Sequence, residues 1–320
     1  MKAIVTGGSG FIGTNLVNYL KIKGWKVLSL DIVKPRDTSN NDVHVDCDIL
    51  DIDLVKSLFI NFEPNAVFHL AARTDLLGEQ LEDYAANIQG VDNICSAVSE
   101  LQSCTRMVAA SSMLVCKPGY EAQSISDTCP TTIYGESKVE TERTLLKWKS
   151  KLPFIVIVRP TSIWGPWFSE PYKNFFDTVL RGYYFHIRNR PASKTYGYVE
   201  NTVAQIVSLA FSNVETRKSY YYLGDEEPMN ISIWADMISL QSGMKKNRSL
   251  PLAFFYIAGK VGDFLGCFGV NFPMTSFRLK NMTTDNVCDC KPVCSIVVEN
   301  NINIDQGVKE TLQWIKNIKK

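Results

Sequence analysis

The residues Thr6-Gly7-Gly8-Ser9-Gly10-Phe11-Ile12-Gly13 decide how this chain is read. They follow a short apolar run, Lys2–Thr6, and lead into apolar residues spaced by three and four, so strand, glycine loop and helix follow one another directly. Gly7 permits a tight turn. Gly10 lets backbone amides approach a pyrophosphate with no Cβ in the way, and Gly13 lets the helix pack closely on its strand. With Phe11 and Ile12 opening the helix, the charge of such a group meets a helix N-terminus. The loop is therefore expected to bind a dinucleotide.

Beyond the loop, short apolar or β-branched runs at 26–31, 66–70, 106–111 and 154–159 alternate with helical patterns at 11–23, 54–62, 84–101 and 135–151. That alternation predicts an α/β fold with a doubly wound parallel sheet of the Rossmann type. After Pro160 the rhythm loosens into a Trp- and Tyr-rich region, with further helices near 203–211, 233–240 and 308–318. The expected organisation is a dinucleotide-binding domain at 1–165 and a smaller substrate-binding lobe at 166–320, with a soft boundary and some shared segments.

Composition narrows the class. A chain of 320 residues that is 45% hydrophobic and 21% charged can bury a large core, which excludes a disordered chain or a disulfide-stapled miniprotein. A net charge of +1 gives no broad field for nucleic acid, so any anion must be held locally. Nine scattered cysteines read as thiols of a cytoplasmic protein, and no signal peptide is evident. Cys288, Cys290 and Cys294 lack a nearby fourth ligand, so no metal site is expected. The apolar stretch 250–274 carries Lys260 and Asp263 at its middle together with Gly and Pro; it is expected to form core helices with short turns, not a membrane span.

The second strand ends on Asp31, whose carboxylate can accept hydrogen bonds from an adenosine ribose and would repel a 2′-phosphate. This favours NAD over NADP. Lys34 and Arg36 follow closely, and the simpler reading makes them solvated loop charges. Asp48 and Ile49 lie after the third strand, where an adenine edge would sit.

Tyr134 and Lys138 stand four residues apart, on one face of a helix. A phenol with an ordinary pKa of about 10 is a poor base, but a neighbouring ammonium and an oxidised nicotinamide would both favour phenolate. Ser111 and Ser112 end the preceding strand and offer a hydroxyl to a reacting oxygen.

With these residues in order, the chain resembles the extended short-chain dehydrogenase/reductase family, in its NAD-dependent epimerase/dehydratase branch acting on nucleotide sugars. The likeness rests on Gly7 to Gly13, Asp31, Asp48 and Ile49, the segment His69, Leu70, Ala71 and Ala72, Asn87, Ser112, Tyr134 with Lys138, and Arg159 to Pro166. It implies that Tyr134 is the general base, that Lys138 orients the nicotinamide ribose and lowers the phenol's pKa, and that Ser112 anchors the sugar oxygen. It also implies that Leu70, Ala71, Ala72 and Asn87 line the cofactor, with His69 a packed strand residue. Asn174 and Arg278 are the implied contacts to a substrate diphosphate, although Asn174 reads equally well as a helix cap before Phe175 and Phe176. A homodimer through the helices at 84–101 and 135–151 is implied as well. The segment Tyr196 to Asn201 resembles the family's strand before a buried helix, and the arginine that members often carry just ahead of it is absent, with Lys194 nearest.

The residues after Ser112 narrow the reaction. Dehydratases of the family place Asp-Glu there, and enzymes that epimerise through carbanions place a cysteine two positions on; here stand Met113 and Leu114, which cannot transfer a proton. Simple hydride chemistry remains, with 4-epimerisation of a nucleotide sugar as the expectation. The alternatives are an NAD(P)H-dependent reductase or dehydrogenase of a nucleotide 4-ketosugar or of a 3β-hydroxysteroid-like substrate. A redox-sensing regulator is disfavoured, because Tyr134, Lys138 and Ser112 are all retained.

Overall fold

Residues 1–120, 122–152, 154–190, 192–212, 218–270, 272, 274–297 and 301–318 are described in the computed structural model. In chain order the main elements are β1 (Lys2–Thr6), α1 (Phe11–Ile22), β2 (Lys26–Asp31), β3 (His44–Asp46), α2 (Ile52–Phe62), β4 (Ala66–His69), α3 (Ala85–Ser99), β5 (Arg106–Ala110), α4 (Ile133–Trp148) and β6 (Phe154–Pro160). They are followed by α5 (Tyr172–Leu180), α6 (Val199–Phe211), β7 (Tyr220–Leu223), α7 (Ile231–Gln241), α8 (Leu252–Gly266), α9 (Ser276–Thr283), α10 (Lys291–Cys294) and α11 (Ile304–Ile318).

Two compact units emerge: one comprises Met1–Ile163, Gly197–Glu226 and Asp289–Asn301, the other Trp164–Tyr196, Glu227–Cys288 and Ile302–Lys320. Among the described residues of the first, seven strands form one sheet in the order β7-β6-β5-β4-β1-β2-β3, and every pairing is parallel. This is the Rossmann-type sheet expected from the glycine loop. Strand alternation sends side chains to two cores. Ala3, Val5, Phe68 and Val108 meet Leu16 and Leu20 of α1 and Ile206 and Leu209 of α6 on one face. Ile4, Val67 and Met107 meet Phe59 of α2, Ile94 of α3 and Leu145 of α4 on the other. The edge strand β7 is contributed by residues far beyond Pro160, as is α6.

The second unit is built around Trp234 of α7, fully buried against the rings of Phe175 and Phe176 of α5 and of Trp164. Two short ladders join residues 185–187 to 248–250 and 193–194 to 229–230. The stretch 250–274 corrects the sequence expectation of core helices. In α8 only Phe255, Gly259 and Gly262 are buried, while Phe254, Tyr256, Ile257, Val261 and Phe264 face solvent. Hydropathy alone cannot tell which face of an apolar helix is inward. No helix among the described residues is long and apolar enough to cross a membrane.

Candidate active site

The first unit assembles the glycine loop at the C-terminal edge of the sheet, where strand order reverses between β1 and β4. Gly7 has φ +72°, and a Cβ on it would lie 2.6 Å from the Ala71 backbone nitrogen, so the loop after β1 touches the Leu70–Ala72 segment after β4. A Cβ on Gly13 would stand 2.0 Å from the Gly7 carbonyl oxygen. At Gly10 the situation differs: the added carbon would meet only the Gly7 oxygen, at 3.1 Å, and otherwise open space. Among the described residues no side chain caps α1 and no acid stands in its first turn, which opens with Phe11 and Ile12. A diphosphate fits this cradle in both shape and charge.

Asp31 serves the loop directly. Its Oδ2 accepts from the Ser9 backbone N–H at 2.9 Å and its Oδ1 from Val33 N–H at 3.2 Å. Each carboxylate oxygen keeps a further lone pair for a ribose hydroxyl. Lys34 is a solvated charge, paired with Asp46 at 2.6 Å. Arg36 is likewise an exposed loop residue, and its Nε–H donates to the Ser9 carbonyl at 3.1 Å. Asp48 is exposed and turns the chain by accepting from Leu50 N–H, while Ile49 is buried against Gly90 of α3.

The Thr6 hydroxyl lies 2.7 Å from His69 Nδ1 and accepts from Ala71 N–H at 3.3 Å. Burial, reinforced by the Lys138 charge, lowers the imidazole pKa to about 3, so His69 is a neutral, packed strand residue.

Tyr134 lies in the first turn of α4, whose N-cap Thr132 accepts from Gly135 N–H at 3.0 Å. Its phenol is buried and hydrogen-bonded to Ser112. The Ser112 Oγ already accepts from Leu114 N–H at 3.1 Å, which leaves its proton for the phenol oxygen. Desolvation pushes the Tyr134 pKa up to about 12; the Ser112 hydrogen bond opposes that rise and nearby Tyr84 adds to it. Lys138, one turn further on, donates to the Ala110 carbonyl at 3.0 Å. Burial draws its pKa down to about 8 against the raising effect of Glu142.

Sequence reasoning missed Glu142, Arg159 and Ser111 as a group. Glu142 stands four residues past Lys138 on the same inward face, and both its oxygens accept from Arg159, from Nε and Nη2, at 2.8 Å each. Ser111 Oγ donates to Oε1 at 2.6 Å. The 134–138–142 spacing was the available signal. Asn87 is fully buried; its side chain holds the Arg73 backbone on both sides and donates to Ser137 Oγ at 2.8 Å, so it braces the loop after β4 against α4.

Asn174 and Arg278 belong to the second unit, and the cluster above is made without them. Asn174 is exposed in the first turn of α5, whose N-cap is Pro171, so the cap reading is corrected. Arg278 is exposed in the first turn of α9, its N–H donating to Thr275 Oγ1 at 3.2 Å.

The chain is similar to several known proteins. A 3-beta-hydroxysteroid dehydrogenase from Mycolicibacterium neoaurum is 27% identical over 265 residues, covering 76% of this chain and 71% of that protein. Two solved structures match over 100% of both chains at 18% identity. They are a UDP-glucose 4-epimerase with UDP-glucose from Thermotoga maritima, at TM-score 0.77, and a UDP-glucuronic acid 4-epimerase from Bacillus cereus in complex with NAD, at 0.74. At that identity they establish the fold alone. The sequence profile of the NAD dependent epimerase/dehydratase family, in contrast, matches residues 3–207. Because that match runs unbroken from β1 through the glycine loop and α4 into α6, the chain belongs to this family and is an NAD-dependent enzyme of the extended short-chain dehydrogenase/reductase type.

Proposed function

We propose that the enzyme is a nucleotide-sugar epimerase, acting at C4 of the sugar by transient hydride transfer. The observation that carries this reading is the buried Tyr134–Ser112 pair with Lys138 one turn away, beside Met113 and Leu114, which offer no second proton donor or acceptor. Gly7, Gly10 and Gly13 with the α1 N-terminus would hold the pyrophosphate of NAD, and Asp31 the adenosine ribose. NAD, when bound, would supply the hydride acceptor for the sugar carbon and, in its reduced form, the hydride donor. Tyr134 takes the proton of the reacting hydroxyl as the hydride leaves and gives it back at the end, while Ser112 holds the reacting oxygen. Lys138, fixed by the Ala110 carbonyl, would hold the nicotinamide ribose, and the oxidised nicotinamide would favour the phenolate.

A cleft of about 300 Å³ in the second unit, lined by Arg188, Arg190, Asn230, Ser232 and the His186–Asp236 pair, supports a phosphate-bearing substrate. Asn174 and Arg278 remain proposed diphosphate contacts. Cytoplasmic action and a homodimer through α3 and α4 belong to the same reading, and sedimentation analysis tests the latter.

The second reading, oxidation or reduction of a nucleotide ketosugar or hydroxysteroid-like alcohol, is favoured by the likeness to the 3-beta-hydroxysteroid dehydrogenase over 76% of the chain. One experiment separates the two. The purified protein is screened against nucleotide sugars and hydroxysteroids, with and without added NAD or NADH. Product formed without added cofactor means epimerisation; stoichiometric change in NADH means net redox turnover.

A further inference from the structure

Helix α8 is built inside out. Its buried face is Phe255, Gly259 and Gly262, and the glycines are there because the 274–276 backbone presses on them. A Cβ on Gly262 would lie 1.8 Å from the Met274 carbonyl oxygen, and one on Gly259 would lie 3.2 Å from Ser276 N. The opposite face carries Phe254, Ile257, Val261, Phe264 and, just past the helix end, Phe268, alternating by three and four residues. Ile257, Phe264 and Phe268 are 68%, 63% and 69% exposed. A helix turned about its axis to bury these side chains would drive them into the 274–276 backbone, so their exposure is fixed by packing. A continuous apolar seam of this kind marks a surface that meets something other than water.

The charge of the segment that carries the seam points to what it meets. Between residues 244 and 280 stand six basic side chains, Lys245, Lys246, Arg248, Lys260, Arg278 and Lys280, and a single acid, Asp263. The Asp263 carboxylate accepts from Ser276 N–H at 3.0 Å, which ties it to the segment packed on the buried side. A second copy of this face would bring like charges together, since a twofold contact repeats the same patch on both sides. An anionic bilayer complements both features: Phe and Ile enter the acyl boundary while Lys and Arg meet the headgroups. At 1.5 Å per residue, 15 residues span about 22 Å, enough to lie along a membrane and too little to cross one.

We propose that the exposed face of α8 and its basic surround dock the enzyme on the surface of an anionic lipid bilayer. This rests on α8 alone and is independent of the substrate assigned above.

The test is co-sedimentation of the full chain with vesicles of phosphatidylglycerol and phosphatidylcholine, and with vesicles of phosphatidylcholine only. The expected result is pelleting with the anionic vesicles, weakened by salt and by an Ile257→Glu, Phe264→Glu double substitution that leaves NAD binding unchanged. Because each basic residue near a membrane surface contributes about fivefold to partitioning, Lys245→Gln, Lys246→Gln and Arg248→Gln together should lower it about a hundredfold. This second variant serves as the readout if the first fails to fold. Equal pelleting with neutral vesicles, no pelleting with either, or a dimer dissolved by the same α8 substitutions overturns the proposal.

Discussion

Glu142 and Arg159 form a bidentate ion pair at 2.8 Å and 2.8 Å, and neither side chain reaches solvent appreciably. Arg159 also stacks over the Tyr220 ring at 3.8 Å, so the pair joins α4, β6 and the edge strand β7. Burial opposes the guanidinium charge, but the Glu142 hydrogen bonds and charge outweigh it and hold the Arg159 pKa above its ordinary value.

Removing one partner leaves the other as an uncompensated buried charge. Glu142→Gln is therefore expected to destabilise the fold by about 3–5 kcal/mol, and Arg159→Met by a similar amount. Urea unfolding measures both. The pair Glu142→Leu with Arg159→Met should restore most of the loss; failure to do so would mean that the ion pair specifies the local structure as well as filling it.

Gly10 and Gly13 separate cofactor binding from folding. Gly13→Ala puts a methyl against the Gly7 carbonyl and should cost about 1–3 kcal/mol of stability. Gly10→Ala meets only the Gly7 oxygen at 3.1 Å, so the protein should fold nearly as well while NAD affinity falls. Thermal unfolding and NAD titration on the two variants distinguish these outcomes.

Tyr134→Phe keeps the ring packed against Tyr84 and removes the hydroxyl. Turnover is expected to fall by about a hundred- to ten-thousand-fold, with NAD binding close to wild type. Single-turnover kinetics checks this, and retained turnover would remove Tyr134 from the proton path.

Lys138 makes stability depend on alkaline pH. Its folded pKa of about 8 lies below the ordinary 10.5, so the unfolded chain holds the proton more tightly between those values. The penalty for burying this ammonium is full below pH 8 and is relieved as pH rises towards 10.5, by on the order of 3 kcal/mol. Comparing wild type with Lys138→Met at pH 7 and pH 10 isolates it: the methionine variant should gain relative stability at pH 7 and lose that advantage at pH 10.

The sequence was most legible where local chemistry and position agree. Strands β1 and β2 begin and end where the apolar runs do, and the loop between β1 and α1 follows from its glycines. In contrast, β3 has only three residues, His44, Val45 and Asp46, too few to display alternation, and β7 joins the sheet only through contacts with β6, some 60 residues earlier. Glu142 reads as an ordinary helix-surface charge until Arg159 is brought to it by the sheet. The apolar content of α8 indicated a helix but not its exposure, because the glycines that fix its orientation answer to the 274–276 backbone. Tyr134 and Lys138 were readable as one helix face from their spacing and Ser112 from its place at a strand end, whereas Asn174 and Arg278 stand in a unit whose sequence carries no comparable pattern.

Asp31 would do double duty, since the carboxylate proposed for the ribose also holds the Ser9 amide in place. Redesign for a phosphorylated cofactor cannot treat this position as a free specificity dial. An Asp31 replacement that loses the Ser9 bond loosens the loop before it gains any affinity for the new ligand, so a successful swap must first rebuild that anchor elsewhere.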